Sequence, residues 1–155
     1  MSKHSVILAV LLALAVSGCS SEDQDKGQKV SKGFAAIDKN SDGLITQKEL
    51  IDRARIVGRK QFTNADGDKN DVLTKKEFSQ AQQKMRERLM KKGLSKAKIA
   101  QRIKDKFARF DGDSNGTISK EEYLKQTRKS RKKAFKKKDA NSDGKLTSEE
   151  FSGNP

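Results

Sequence analysis

Asp38-Lys39-Asn40-Ser41-Asp42-Gly43-Leu44-Ile45-Thr46-Gln47-Lys48-Glu49 sets a pattern that the 155-residue chain uses four times. Side-chain oxygens stand at its first, third, fifth, ninth and twelfth places. The same offsets return from Asp66 to Glu77, from Asp111 to Glu122 and from Asp139 to Glu150. A lone Asp-rich stretch reads as an acidic turn. Four in register do not, because the apolar residues around them repeat as well. A Phe precedes each window by four residues (Phe34, Phe62, Phe107, Phe135), and the eighth place is always Ile or Leu (Ile45, Leu73, Ile118, Leu146). Leu50, Phe78, Tyr123 and Phe151 follow the closing Glu residues. Two helices that bury one face each, joined by a loop that bridges to a partner loop, need this arrangement.

The oxygens define the chemistry. A hard cation of calcium's size takes six to eight oxygen ligands at roughly 2.3–2.6 Å, and a wound twelve-residue loop supplies them. The first window offers Asp38, Asn40, Asp42, the Leu44 carbonyl, Thr46 and Glu49. The second offers Asp66, Asp68, Asn70, the Val72 carbonyl, Thr74 and Glu77, and the third Asp111, Asp113, Asn115, the Thr117 carbonyl, Ser119 and Glu122. The fourth offers Asp139, Asn141, Asp143, the Lys145 carbonyl, Thr147 and Glu150. Gly43, Gly116 and Gly144 fill the sixth place, where the backbone turns through positive φ at little cost for Gly. The second window has Asp71 there, which tolerates that region less well. All four loops are expected to bind, the second most weakly.

These windows resemble the EF-hand family, and four copies resemble a calmodulin-like calcium-binding protein. The resemblance implies an all-α fold of two EF-hand pairs joined by a helical linker, with up to four calcium ions. The expected boundaries are a first pair at 34–80 (loops 38–49 and 66–77), a linker at 81–100 and a second pair at 101–155 (loops 111–122 and 139–150). Sixteen residues separate Glu49 from Asp66, and sixteen separate Glu122 from Asp139. At 1.5 Å per residue, an unbroken helix would hold consecutive loops about 24 Å apart and forbid a bridge between them. The expectation is therefore short helices, broken at Gly58 in the first pair and at Ser130 in the second. Residues 78–90 and 95–110 read as helices, with Gly93 ending the first and Ser95 capping the second.

The front of the chain places the protein. Lys3 and His4 precede an apolar run from Val6 to Val16, too short to span a bilayer at about 20 residues. Ser17-Gly18-Cys19-Ser20 follows, so 1–18 reads as a secretory signal. Val16-Ser17-Gly18-Cys19 is similar to the lipobox of bacterial lipoproteins. That likeness implies lipidation of Cys19, a polar tether over 19–33 and a place in the bacterial envelope, at the outer membrane. The alternative is an ordinary cleaved signal carrying a stray Cys.

Cys19 is the single Cys and His4 the single His. Once the signal leaves, no imidazole and no free thiol remain, which excludes thiolate and imidazole metal sites and the usual His-assisted nucleophiles. The carboxylate clusters are accounted for by the loops, so a non-enzyme is expected.

The formal net charge is +14 and drops by one when Lys3 leaves with the signal. Of 21 acidic residues, 12 are loop ligands, leaving 35 basic residues against nine acidic in the rest of the chain. The densest run holds Arg128, Lys129, Arg131, Lys132, Lys133, Lys136, Lys137 and Lys138. It reads either as a docking patch for an acidic protein, lipid headgroup or polymer, or as a solvated face that keeps the protein soluble. Export and the lack of aromatic interleaving argue against nucleic acid. Two functions fit: a calcium-ordered, lipid-anchored protein with an acidic partner, or a calcium store or structural polycation with none.

Overall fold

The computed structural model describes residues 31–153; the expected signal, Cys19 and the expected tether up to residue 30 lie outside them. The described chain runs α1 (Lys32–Ala35), β1 (Ile45–Thr46), α2 (Gln47–Ala65), β2 (Val72–Thr74), α3 (Lys75–Ala81), α4 (Gln83–Lys91), α5 (Lys96–Phe110), β3 (Thr117–Ser119), α6 (Lys120–Lys138), β4 (Lys145–Leu146) and α7 (Ser148–Ser152). It is the expected all-α arrangement of helix–loop–helix units. Among the described residues no helix is long and apolar enough to cross a membrane.

The ninth-place hydroxyl residue of each loop caps the next helix. The side chains of Thr46, Thr74, Ser119 and Thr147 accept from the N–H of Glu49, Glu77, Glu122 and Glu150, and each Glu reaches back to the cap N–H. These reciprocal pairs satisfy two otherwise orphaned donors per helix. Ser95 caps α5 as expected, and Gly93 turns the preceding chain at φ +75°.

The pairing of the loops departs from expectation. β1 pairs antiparallel with β4 (Ile45 opposite Leu146), and β2 with β3 (Leu73 opposite Ile118). Loop 1 thus bridges to loop 4, and loop 2 to loop 3, so the expected pairs at 34–80 and 101–155 do not form. The reason lies in the spacers. Both sixteen-residue stretches are continuous helix within the 19-residue α2 and α6. Neither Gly58 nor Ser130 breaks its helix. Loops 1 and 2, and likewise loops 3 and 4, stay one helix length apart, as the 1.5 Å rise requires, so loop 2 pairs with loop 3 and loop 1 with loop 4.

Two cores follow from this exchange. Phe34, Ile45, Leu50, Phe135 and Leu146 form one, contributed by hands 1 and 4. Phe62, Leu73, Phe78, Leu89, Ile99, Ile103, Phe107 and Ile118 form the other, around hands 2 and 3. The antiparallel helices α2 and α6 run through both: Leu50 and Phe135 serve the first core, Phe62 and Tyr123 the second. The aromatic repeat explains the match. Phe34 meets Phe151 edge-on at 5.7 Å, Phe62 meets Tyr123 at 5.6 Å and Phe78 meets Phe107 at 5.5 Å. The Phe entering one hand therefore packs on the residue leaving its partner hand. Such contacts contribute about 0.5–1.5 kcal/mol beyond their burial.

Residues 81–100 are not a linker between lobes. After a break at Gln82, α4 folds back along α5, and Leu89 and Ile99 enter the core of hands 2 and 3.

Candidate metal centres

The four loops share one internal wiring. The sixth-place N–H donates to the first-place carboxylate: Gly43 to Asp38 Oδ2 at 3.0 Å, Asp71 to Asp66 Oδ2 at 3.1 Å, Gly116 to Asp111 Oδ2 at 3.0 Å and Gly144 to Asp139 Oδ2 at 3.1 Å. The seventh-place N–H donates to the fifth side chain, Leu44 to Asp42, Val72 to Asn70, Thr117 to Asn115 and Lys145 to Asp143, at 2.8–2.9 Å. The chain winds around its own oxygens before any cation contributes.

The closing Glu spans each loop from both ends. Its Oε1 accepts from the second-place N–H, at 3.0 Å from Lys39, 2.9 Å from Gly67, 2.7 Å from Gly112 and 3.1 Å from Ala140. Its Oε2 accepts from the ninth-place N–H at 2.9–3.0 Å. Burial pushes Glu49 and Glu122 up, but these donors outweigh it and hold both carboxyls below their ordinary value. The Thr74 and Thr147 N–H groups do the same for Glu77 and Glu150. All four are therefore ionised at neutral pH, as cation ligands must be. The hydroxyls of Thr46, Thr74, Ser119 and Thr147 are engaged in capping. The ninth place would then meet a cation through water, a common arrangement in such loops.

Whether these residues fit calcium turns on the first-place carboxylates. Asp38 Oδ1, Asp111 Oδ1 and Asp139 Oδ1 are buried and accept no hydrogen bond. A buried, unpartnered anionic oxygen is costly unless a cation meets it. The donor set is all oxygen, which suits a hard cation. In loop 3 the carboxylates of Asp111, Asp113 and Glu122 converge, with one oxygen of each within 4.8 Å of the others; Asp66, Asp68 and Glu77 converge equally in loop 2. Loops 1 and 4 have Asn40 and Asn141 in the third place and would offer an amide oxygen there.

Loop 2 differs in two ways. Asp66 Oδ1 is already satisfied, by the Asn70 N–H at 3.2 Å. Asp71 holds φ +62° in the place of the usual glycine, and its carboxylate pairs with Lys120 at 3.2 Å. Sequence reading foresaw the positive φ at the sixth place but not the ion pair, because Lys120 lies 49 residues away in the partner hand. It also missed the left-handed fourth place, where Ser41, Lys69, Ser114 and Ser142 hold φ near 60°.

The basic run lies on the second half of α6. Arg128, Lys129, Arg131, Lys132, Lys133, Lys136 and Lys137 are exposed, while Phe135 is buried. Lys138 leaves the patch: it sits 5.4 Å from the Phe151 ring and donates to the Phe151 carbonyl, holding α7 in place. Among the described residues only Arg55–Asp52 and Lys120–Asp71 come within ion-pair distance, so the run carries uncompensated charge.

A family model described as EF hand matches residues 31–52, 103–125 and 132–152. These are the hands of loops 1, 3 and 4; loop 2 falls outside the matches. No curated protein matches the chain. The matches and the acidic clusters support calcium binding by EF-hand-like loops.

Proposed function

We propose that this protein is a lipid-anchored calcium-binding protein of the bacterial envelope, ordered by calcium and docking an acidic partner through α6. Cys19 carries the lipid, and the exposed cations of α6 face the partner. Loops 1, 3 and 4 are the stronger sites and loop 2 the weakest. The carrying observation is the buried, unpartnered Oδ1 of Asp38, Asp111 and Asp139. Calcium relieves that cost, so binding free energy becomes folding free energy. Extracellular modules of this kind bind at about 10⁻⁴–10⁻³ M.

The test is a calcium titration of the Cys19→Ser chain by calorimetry and far-UV circular dichroism. Three equivalents with a gain in order are expected before a weaker fourth; no uptake at millimolar calcium sinks the reading. Cell fractionation checks the anchor, since Cys19→Ser should move the protein to the soluble fraction. A pull-down with and without calcium separates the partner reading from a store or structural polycation, which predicts no calcium-dependent partner.

A further inference from the structure

A polar cavity of about 280 Å³ lies between α2, α5 and α6, and none of the loop ligands lines it. Lys106, Arg109 and Arg131 do, with the hydroxyl residues Tyr123, Thr127 and Ser130, and no carboxylate is among its walls. Lys106 also borders a second polar cavity, of about 370 Å³, whose lining again holds no acid. Among the described residues, none of the three cations comes within ion-pair distance of a carboxylate. Lys106 is half-buried, and its ammonium donates to the neutral Gln82 Oε1 at 2.7 Å. Burial, with Arg109 and Arg88 adding repulsion, lowers its pKa. A half-buried cation among other cations is costly, and an anion in the cavity offsets that cost.

We propose that this cavity binds a small phosphate monoester, with its phosphoryl group between Lys106, Arg109 and Arg131. Charge and donor count select the group. A phosphoryl group brings about 1.5–2 negative charges and three acceptor oxygens, where a carboxylate brings one charge and two oxygens. Three cations are better matched by the first. Lys106 and Arg109 come from α5 and Arg131 from α6, so donors approach from two helices, as a tetrahedral oxyanion requires. The guanidinium fork suits phosphate oxygens in pairs. The cavity is at the small end of ligand sites, and Phe110, Tyr123 and Ala134 wall the space beside the cations, which suits a short organic part. Arg131 is the single member of the basic run on α6 that lines it, so the site stands apart from both the calcium loops and the partner-facing charge.

The experiment titrates glycerol 3-phosphate into the calcium-loaded Cys19→Ser chain by isothermal calorimetry, at about 0.15 M salt, where exposed charges are screened beyond about 8 Å. Saturable one-to-one binding is expected. Arg131→Gln should weaken it about tenfold, the loss expected for a hydrogen bond to a charged group. Ser130→Trp, at an exposed position of α6, should fill the cavity and abolish binding. Lys132→Gln and Lys133→Gln alter the same helix outside the cavity and should leave binding unchanged. All four variants should keep the calcium titration and circular dichroism of the parent, which separates a lost site from a lost fold. Lactate, with a single carboxylate, should not compete. Dihexanoyl phosphatidate carries the same phosphoryl group on two short tails; its exclusion is expected of a cavity this size, and tighter binding would make the source a lipid headgroup held by the same contacts. No saturable binding of glycerol 3-phosphate overturns the inference, as does undiminished binding by Ser130→Trp. A loss in Lys132→Gln equal to that in Arg131→Gln would make the diffuse charge of α6 responsible, and competition by lactate at equal concentration would remove the preference for phosphate; each overturns it too.

Discussion

A Cβ placed on Gly58 would stand 3.1 Å from Leu124 Cδ2 and 3.6 Å from Thr127 Cγ2. The glycine is buried in mid-α2 and lies against Leu124 and Thr127 of α6, within an unbroken helix. Alanine there gains about 0.5–1 kcal/mol of helix propensity and asks Leu124 to shift by a few tenths of an ångström. Gly58→Ala should accordingly leave stability within about 1 kcal/mol of the parent. Gly58→Leu cannot be accommodated that way and should cost about 1–3 kcal/mol through overpacking. Urea unfolding in saturating calcium measures both.

The exchanged pairing makes a sharper prediction about coupling. Glu150 closes loop 4, whose strand pairs with loop 1 through Leu146 and Ile45. Glu150→Gln should weaken loop 1, read at the Gly43 amide by nuclear magnetic resonance, and leave loop 3, read at Gly116, nearly unchanged. Glu122→Gln should instead weaken loop 2. A pair of contacting sites couples by about 0.5–3 kcal/mol, while distant sites add. Coupling of loop 4 to loop 3 in place of loop 1 would contradict the fold.

What the sequence disclosed and what it withheld divide along the range of the interactions. Loop ligands, capping hydroxyls and the apolar eighth place lie within twelve residues of one another, and their chemistry can be read in isolation. The need for a partner loop was equally plain, since Ile45 or Leu146 alone cannot be buried. The choice of partner was not. A sixteen-residue spacer permits either a broken helix with its neighbour as partner or a whole helix with a distant one. Gly58 suggested the break, yet its missing side chain serves the contact with Leu124. Lys138 shows the same limit: it belongs to the basic run by sequence, and to the C-terminal helix by contact with Phe151.

Asp71 gives a stoichiometric test. Its side chain is exposed and its ion pair with Lys120 is half open to water, so the pair contributes about 0–1 kcal/mol at most. Its backbone is the larger issue, because φ +62° suits glycine better. Asp71→Gly removes that strain and frees the loop to close around a cation. The variant should bind its fourth calcium more tightly than the parent, while Lys120→Ala alone should change little. Calorimetry in matched buffers reads the fourth step, and an unchanged fourth affinity would place the weakness of loop 2 at Asp66 instead.

Lys106 yields a prediction in pH. Burial lowers its pKa, with Arg109 and Arg88 adding repulsion, although Gln82 Oε1 accepts from it at 2.7 Å and the Phe78 and Phe110 rings lie about 6 Å away. A base whose folded pKa is depressed penalises the fold while it is charged. That penalty fades as pH rises from the depressed value toward the ordinary 10.5. Lys106→Met keeps most of the apolar stem and never carries the charge. Whatever the variant loses in contacts with Gln82 and the rings, its stability relative to the parent should fall between neutral pH and pH 10.5, as the parent sheds its buried proton. Denaturation of both proteins across that range measures the difference, and a difference independent of pH would show that the Lys106 ammonium carries no cost in the folded state.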